Sequence, residues 1–119
     1  MNAAQVQQQI STQRAENLTL KPVLQLGKVV WTRNFVALFP NETQLNTAVH
    51  TVLQKYQFGD WGLVSIRSKA LNDEALDATS PGRVVAKYNI KAPNGRYVDI
   101  FVITEWDRSA TTLMLPEDY

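Results

Sequence analysis

Two short stretches of the sequence gather most of the side chains that could do chemistry or bind a partner. The first stretch, Thr104–Thr112, holds the carboxylates of Glu105 and Asp107, the guanidinium of Arg108 and the hydroxyl of Ser109. Side chains alternate along a strand, so both carboxylates share one face if the strand continues that far. Such a pair can act as acid and base or hold a divalent metal ion. The structural alternative is a hairpin turn in which Asp107 bonds the backbone and Arg108 bridges to Glu105.

The second stretch is the run Gly59, Asp60, Trp61 and Gly62, in which two glycines bracket an acidic and a large aromatic side chain. Glycines permit unusual backbone conformations that can present Trp61 to a partner. The alternatives are that Trp61 seals the end of a helix and that Asp60 caps the next one.

These two stretches supply the predicted site. We predict that it binds a partner and contains no catalytic residue, metal ligand or cofactor. Its predicted residues are Asp60, Trp61, Glu105, Asp107, Arg108 and Ser109. A metal site becomes credible only if four carboxylates converge in space, and no spacing rule shows that they do. Those four are Asp60, Asp73, Glu105 and Asp107.

Composition excludes several kinds of site. The chain has 119 residues with no Cys and one His, so zinc fingers, iron-sulfur clusters and thiol nucleophiles are excluded. The one histidine, His50, falls within a predicted helix, and no orienting carboxylate or nucleophile is marked for it.

Charge is nearly balanced overall but unevenly distributed. The formal net charge is +1, which gives no global attraction to nucleic acid. Residues 1–58 hold five basic and two acidic side chains, and residues 59–119 hold seven and nine. Lys28, Arg33 and Lys55 could form a small basic patch, although no recognition helix or aromatic RNA-stacking motif is apparent.

The two stretches must be positioned by the elements around them, and the sequence predicts that these elements form an α+β domain. A short strand at residues 28–32 precedes two or three helices. The clearest helix spans residues 42–57, where apolar residues recur on one helical face after a capping box that begins at Asn41. Gly59 ends this helix. A second helix is predicted over residues 65–78, with an apolar stripe of Ile66, Ala70, Leu71 and Ala75.

The second half of the chain changes to a period of two, which predicts strands. In residues 83–90, side chains that point to one face of a strand alternate with side chains that point to the other. Asn94 and Gly95 then favour a turn. Residues 96–106 form an apolar return strand, which we expect in the middle of the sheet. Residues 111–116 supply the last strand. The result is a three-stranded antiparallel meander packed against the helix of residues 42–57.

We expect one domain over residues 18–119. Residues 1–17 form a polar, Gln-rich extension that is either helical or disordered. No apolar run of about 18 residues and no secretory pattern is present, so we predict a cytoplasmic protein.

Several motifs carry a family resemblance. Residues 59–62 (GDWG) and above all residues 103–119 (ITEWDRSATTLMLPEDY) resemble a family of small proteins carried by bacterial plasmids, phages and integrative elements. The resemblance covers about residues 26–119. The chain departs from the family's pattern at Leu63, where an acidic residue is expected. It implies no named reaction. It implies an accessory factor that binds host or competing-element machinery, for example in counter-defence.

Three function hypotheses follow. The first is a noncatalytic accessory protein of a mobile element that binds a protein partner. The second is a metal-dependent hydrolase or nuclease that uses the clustered carboxylates. The third is a nucleic-acid-binding accessory protein that uses the basic excess of the first half.

Overall fold

The computed structural model describes residues 21–119, which form an α+β domain with helices on one face of a four-stranded sheet. The predicted extension at residues 1–17 lies outside the described residues. In chain order the elements are β1 (Lys28–Trp31), α1 (Arg33–Val36), α2 (Glu42–Gln57), α3 (Ile66–Ala75), β2 (Val84–Lys91), β3 (Tyr97–Thr104), β4 (Ala110–Met114) and a 3₁₀ turn (Pro116–Asp118). No helix in this part of the chain is long and apolar enough to span a membrane.

Helix α2 has the predicted bounds because its signals are local. The side chain of Asn41 accepts a hydrogen bond from the N–H of Gln44 at 2.9 Å, which caps the first turn. One face of the helix enters the core, and the chain then leaves it through Gly59 at φ +87°. The buried side chains of α2 are Leu45, Val49, Val52 and Tyr56.

The sheet has the strand order β1-β4-β3-β2. Strands β2, β3 and β4 form the predicted antiparallel meander, with β3 inside the sheet. β1 joins the edge of β4 in parallel, so the sheet is mixed. The alternating pattern of β2 is confirmed, since Val84, Ala86 and Tyr88 are buried on the helix side and Asn89 is exposed on the other.

A chain of buried hydroxyl groups joins α2 to the sheet. The Tyr56 hydroxyl lies 2.7 Å from Oγ1 of Thr104, which lies 2.7 Å from Oγ1 of Thr111. The Thr111 hydroxyl donates to the carbonyl of Leu26 at 2.7 Å. Each of these buried oxygens therefore has a partner, as burial requires.

The buried tyrosines predict how stability depends on pH. Burial raises the pKa of both Tyr56 and Tyr88 above the ordinary value of about 10. Above that value the unfolded chain releases protons that the folded chain keeps, so the free energy of unfolding falls as pH rises. Each tyrosine contributes a slope of up to about 1.4 kcal/mol per pH unit.

Urea denaturation of the wild type and of Tyr56→Phe between pH 9.5 and 11.5 checks this. We expect the free energy of unfolding of Tyr56→Phe to fall less steeply with pH than that of the wild type. At pH 9.5 the variant should also be less stable than the wild type. Identical slopes would contradict the assignment to Tyr56.

Candidate functional site

The structure places the two residues of the glycine-bracketed stretch differently. Trp61 is buried, with 3% of its surface exposed, and its indole N–H donates to Oδ1 of Asp73 at 2.9 Å. Its ring meets that of Tyr56 edge-on, with centroids 5.6 Å apart. Asp60 is exposed and accepts a hydrogen bond from the N–H of Gly62 at 3.0 Å. Trp61 therefore joins α3 to the core, and partner contact in this stretch stays a prediction.

The backbone after Trp61 pairs with the outer edge of β2. The N–H of Lys87 donates to the Trp61 carbonyl at 3.2 Å, and the N–H of Leu63 donates to the Lys87 carbonyl at 2.7 Å. Gly62 lies between them at φ +72°, where an added Cβ would come within 2.0 Å of the Lys87 carbonyl oxygen. Glycine is thus required here by both backbone conformation and space.

Helix α3 closes the same edge with a side chain. Asn72, 4% exposed, donates from Nδ2 to the Val85 carbonyl at 2.8 Å and accepts from the Val85 N–H at 3.1 Å. An amide side chain thus takes the place of a neighbouring strand. An edge with its backbone groups satisfied in this way is protected against pairing with another chain.

The predicted apolar stripe of α3 is confirmed at Ala75 and wrong at its other three residues, Ile66, Ala70 and Leu71. Ile66 is 87% exposed and Leu71 is 52% exposed, while the buried residues of the helix are Asn72 and Ala75. These apolar side chains are exposed because α3 lies beside the edge of β2 and is attached to that strand by Asn72. Helical spacing alone could not show this, since a polar residue occupies the buried face.

The turn at residues 105–109 is held mainly by Arg108. Its backbone is left-handed, with φ +61°, and its guanidinium donates to three carbonyls. Nη1 reaches Gly82 at 2.6 Å and Glu105 at 3.2 Å, and Nη2 reaches Ala75 at 2.7 Å. The end of α3, the loop after it and the hairpin are therefore joined by one side chain.

Asp107 and Ser109 complete the turn. The N–H of Ser109 donates to Oδ1 of Asp107 at 3.0 Å, and hydrogen bonds from the Ser109 side chain and backbone lower the pKa of Asp107. Asp107 is therefore an ionised acceptor rather than a proton donor at neutral pH. Glu105 approaches Arg83 at 3.9 Å, with both side chains nearly half exposed. Its predicted bridge to Arg108 runs instead through the Glu105 carbonyl.

The turn presents one residue that sequence reasoning missed, Trp106, which is 61% exposed. It borders a depression of about 420 Å³ whose apolar lining includes Val23, Leu76 and Pro81. The available signal was a large aromatic residue between two carboxylates at the end of the strand predicted over residues 96–106. We call Trp106 and this depression the Trp106 surface.

The predicted site residues form two groups joined through α3. Glu105, Asp107, Arg108 and Ser109 share the turn, whereas Trp61 contacts Asp73 in the last turn of α3. Within residues 21–119 no group of three or more His, Asp or Glu side chains could hold a metal ion. The condition set for the metal-dependent alternative, that Asp60, Asp73, Glu105 and Asp107 converge in space, is therefore not met.

The basic patch suggested by the first half of the chain does not form as predicted. Lys55 belongs to α2 on the helix side of the sheet, whereas Lys28 projects from β1 to the opposite side, as its register with Ala110 shows. His50 is exposed on α2, where Nε2 lies 3.3 Å from Nε2 of Gln54.

Comparisons with known proteins returned no family model, no curated protein and no solved structure that matches this chain.

Arg108 provides a test of how the site is held. We expect Arg108→Ala to lower the free energy of unfolding by about 2–3 kcal/mol, because it leaves carbonyls of α3 and its loop without their charged donor. The matched control is Arg83→Ala, which removes a half-exposed ion pair and should cost less than about 1 kcal/mol. Urea denaturation measures both, and equal losses in the two variants would contradict this account.

Proposed function

We propose that the protein is a noncatalytic accessory protein that binds a protein partner through the Trp106 surface. The observation that carries the proposal is the exposure of a tryptophan on a rigid turn. Trp106 is 61% exposed beside a depression that is lined in part by apolar side chains. Tryptophan is enriched among the residues that dominate binding energy at protein interfaces.

Rigidity supports the same proposal. The turn is fixed by the Arg108 guanidinium and by Asp107, so Trp106 is presented in one backbone arrangement. A side chain that is ordered before binding loses less conformational entropy when a partner covers it. The lining residues Leu76 and Pro81 add apolar area that only an apolar group of a partner would bury favourably.

The chemistry of the turn favours binding over catalysis. Asp107 accepts from the backbone of its own turn, and the Arg108 guanidinium is committed to carbonyls. Neither group is poised to exchange a proton with a substrate. The Asp60 carboxylate is exposed, and we include it in the binding region as a polar residue beyond the apolar centre.

The biological setting is part of the proposal. The resemblance of residues 103–119 to proteins of plasmids, phages and integrative elements supports an accessory factor of a bacterial mobile element that acts on host or counter-defence machinery. A chain without Cys supports a place in the cytoplasm, where disulfides are rare.

Trp106→Ala tests the proposal. We expect at least tenfold weaker partner binding, because truncation removes the central apolar contact. The free energy of unfolding should change little, since the side chain is exposed. The matched control is Leu63→Ala, a large apolar residue that is 62% exposed and lies outside the Trp106 surface.

The partner is first identified by quantitative mass spectrometry of proteins that the wild type enriches from bacterial extract. Binding is then measured by calorimetry with both proteins purified. The proposal is overturned if no protein is enriched, or if the purified partner binds Trp106→Ala as tightly as the wild type.

A further inference from the structure

The face of the sheet opposite α2 is covered only in part by the described residues and has its own composition. The register places Phe101 on this face beside Lys87, and Tyr97 beside Lys91. Among residues 21–119 no α-helix packs on it. The C-terminal 3₁₀ turn contacts β3, Tyr119 lies over Phe101 with ring centroids 5.7 Å apart, and Ile103 is 1% exposed, whereas Tyr97 at the far end of β3 is 69% exposed. We call this surface the aromatic face. Its aromatic and basic residues are Lys28, Arg83, Lys87, Lys91, Tyr97, Phe101 and Tyr119.

We propose that the aromatic face binds single-stranded nucleic acid. This is a second function, independent of the Trp106 surface, and it rests on a different part of the molecule. The two requirements of such a site are exposed rings on which bases stack and cations that follow the phosphate backbone. Both are present on this face.

The rings are accessible and positioned by the sheet. Tyr97 and Tyr119 are each 69% exposed. Phe101 is half-buried on the inner strand β3. The planes of Phe101 and Tyr119 are tilted by 48°, so neither ring is covered by parallel stacking. The Arg83 guanidinium lies 5.6 Å from the Tyr119 centroid, which adds a second planar, positively charged group.

The charge of the face complements phosphate. Four basic side chains, Lys28, Arg83, Lys87 and Lys91, lie on this face or at its border. Glu117 and Asp118 belong to the turn that contacts β3, and the carboxylates paired with the basic side chains of the face are Asp99 and Glu105. Each of these carboxylates forms one long ion pair, Lys87 with Asp99 at 3.6 Å and Arg83 with Glu105 at 3.9 Å. Exposed pairs of this kind contribute little, so phosphate competes readily for the cations.

The occupant must be single-stranded because the recognition surface consists of ring faces. Bases in a duplex are stacked on each other and present only their edges in the grooves. A sheet face with exposed rings matches unstacked bases instead, and four-stranded sheets with aromatic side chains use the same physical principle to bind RNA. A protein partner on this face is the competing outcome of the test.

The test is fluorescence anisotropy with labelled dT12, rU12 and a 12-base-pair DNA duplex, at 50 and 200 mM salt. We expect both single strands to bind more tightly than the duplex, with affinity that falls steeply as salt increases. Because dT12 and rU12 differ in the 5-methyl group of the base as well as in the sugar, a comparison of dU12 with rU12 identifies the preferred sugar.

Substitutions on the aromatic face distinguish base stacking from non-specific electrostatic attraction. Tyr97→Ala and Tyr119→Ala should each weaken binding of the single strands about tenfold, and Lys87→Ala should reduce the salt dependence. Ile66→Ala, which truncates an 87% exposed side chain on α3 outside both proposed surfaces, is the control and should bind like the wild type. The proposal is overturned if no single strand binds at 50 mM salt, if the duplex binds equally well, or if both tyrosine variants bind like the wild type.

Discussion

The outer edge of β2 imposes the constraint on which the rest of the structure depends. An edge strand inside a compact domain carries backbone N–H and C=O groups that must be paired. Here the backbone of Trp61 and Leu63 pairs with Lys87, and the amide of Asn72 pairs with Val85. Helix α3 buries little apolar surface of its own. It is therefore held in place by hydrogen bonds, and its position is set by the positions of those backbone groups.

The position of α3 in turn determines the candidate binding surface. Near its end the Ala75 carbonyl accepts from Arg108, which also fixes the hairpin turn through its left-handed backbone. Leu76, directly after the helix, lines the depression beside Trp106. A continuous set of polar contacts thus runs from the edge of the sheet to the exposed tryptophan. Two surfaces result on different sides of the sheet, one with an apolar centre and one with rings and cations.

What the sequence predicted correctly was local. The cap at Asn41 and the apolar spacing that follows it gave the bounds of α2, and alternation gave the buried face of β2. The buried face of α3 was predicted wrongly except at Ala75, because Asn72 is buried through a contact with a strand 13 residues away. Trp106 was missed for a related reason. Whether a tryptophan is buried depends on what packs around it, and the burial of Trp61 and exposure of Trp106 result from long-range contacts.

Native-state hydrogen exchange of the β2 amides tests this account most directly. The N–H groups of Val85 and Lys87 point to the outside of the sheet and are bonded by Asn72 and by the Trp61 carbonyl. We expect both amides to exchange as slowly as those of the inner strand β3, and Asn72→Ala to speed exchange at Val85. Rapid exchange at both positions in the wild type, as in a frayed edge strand, would contradict the claim that this edge is closed and positions α3.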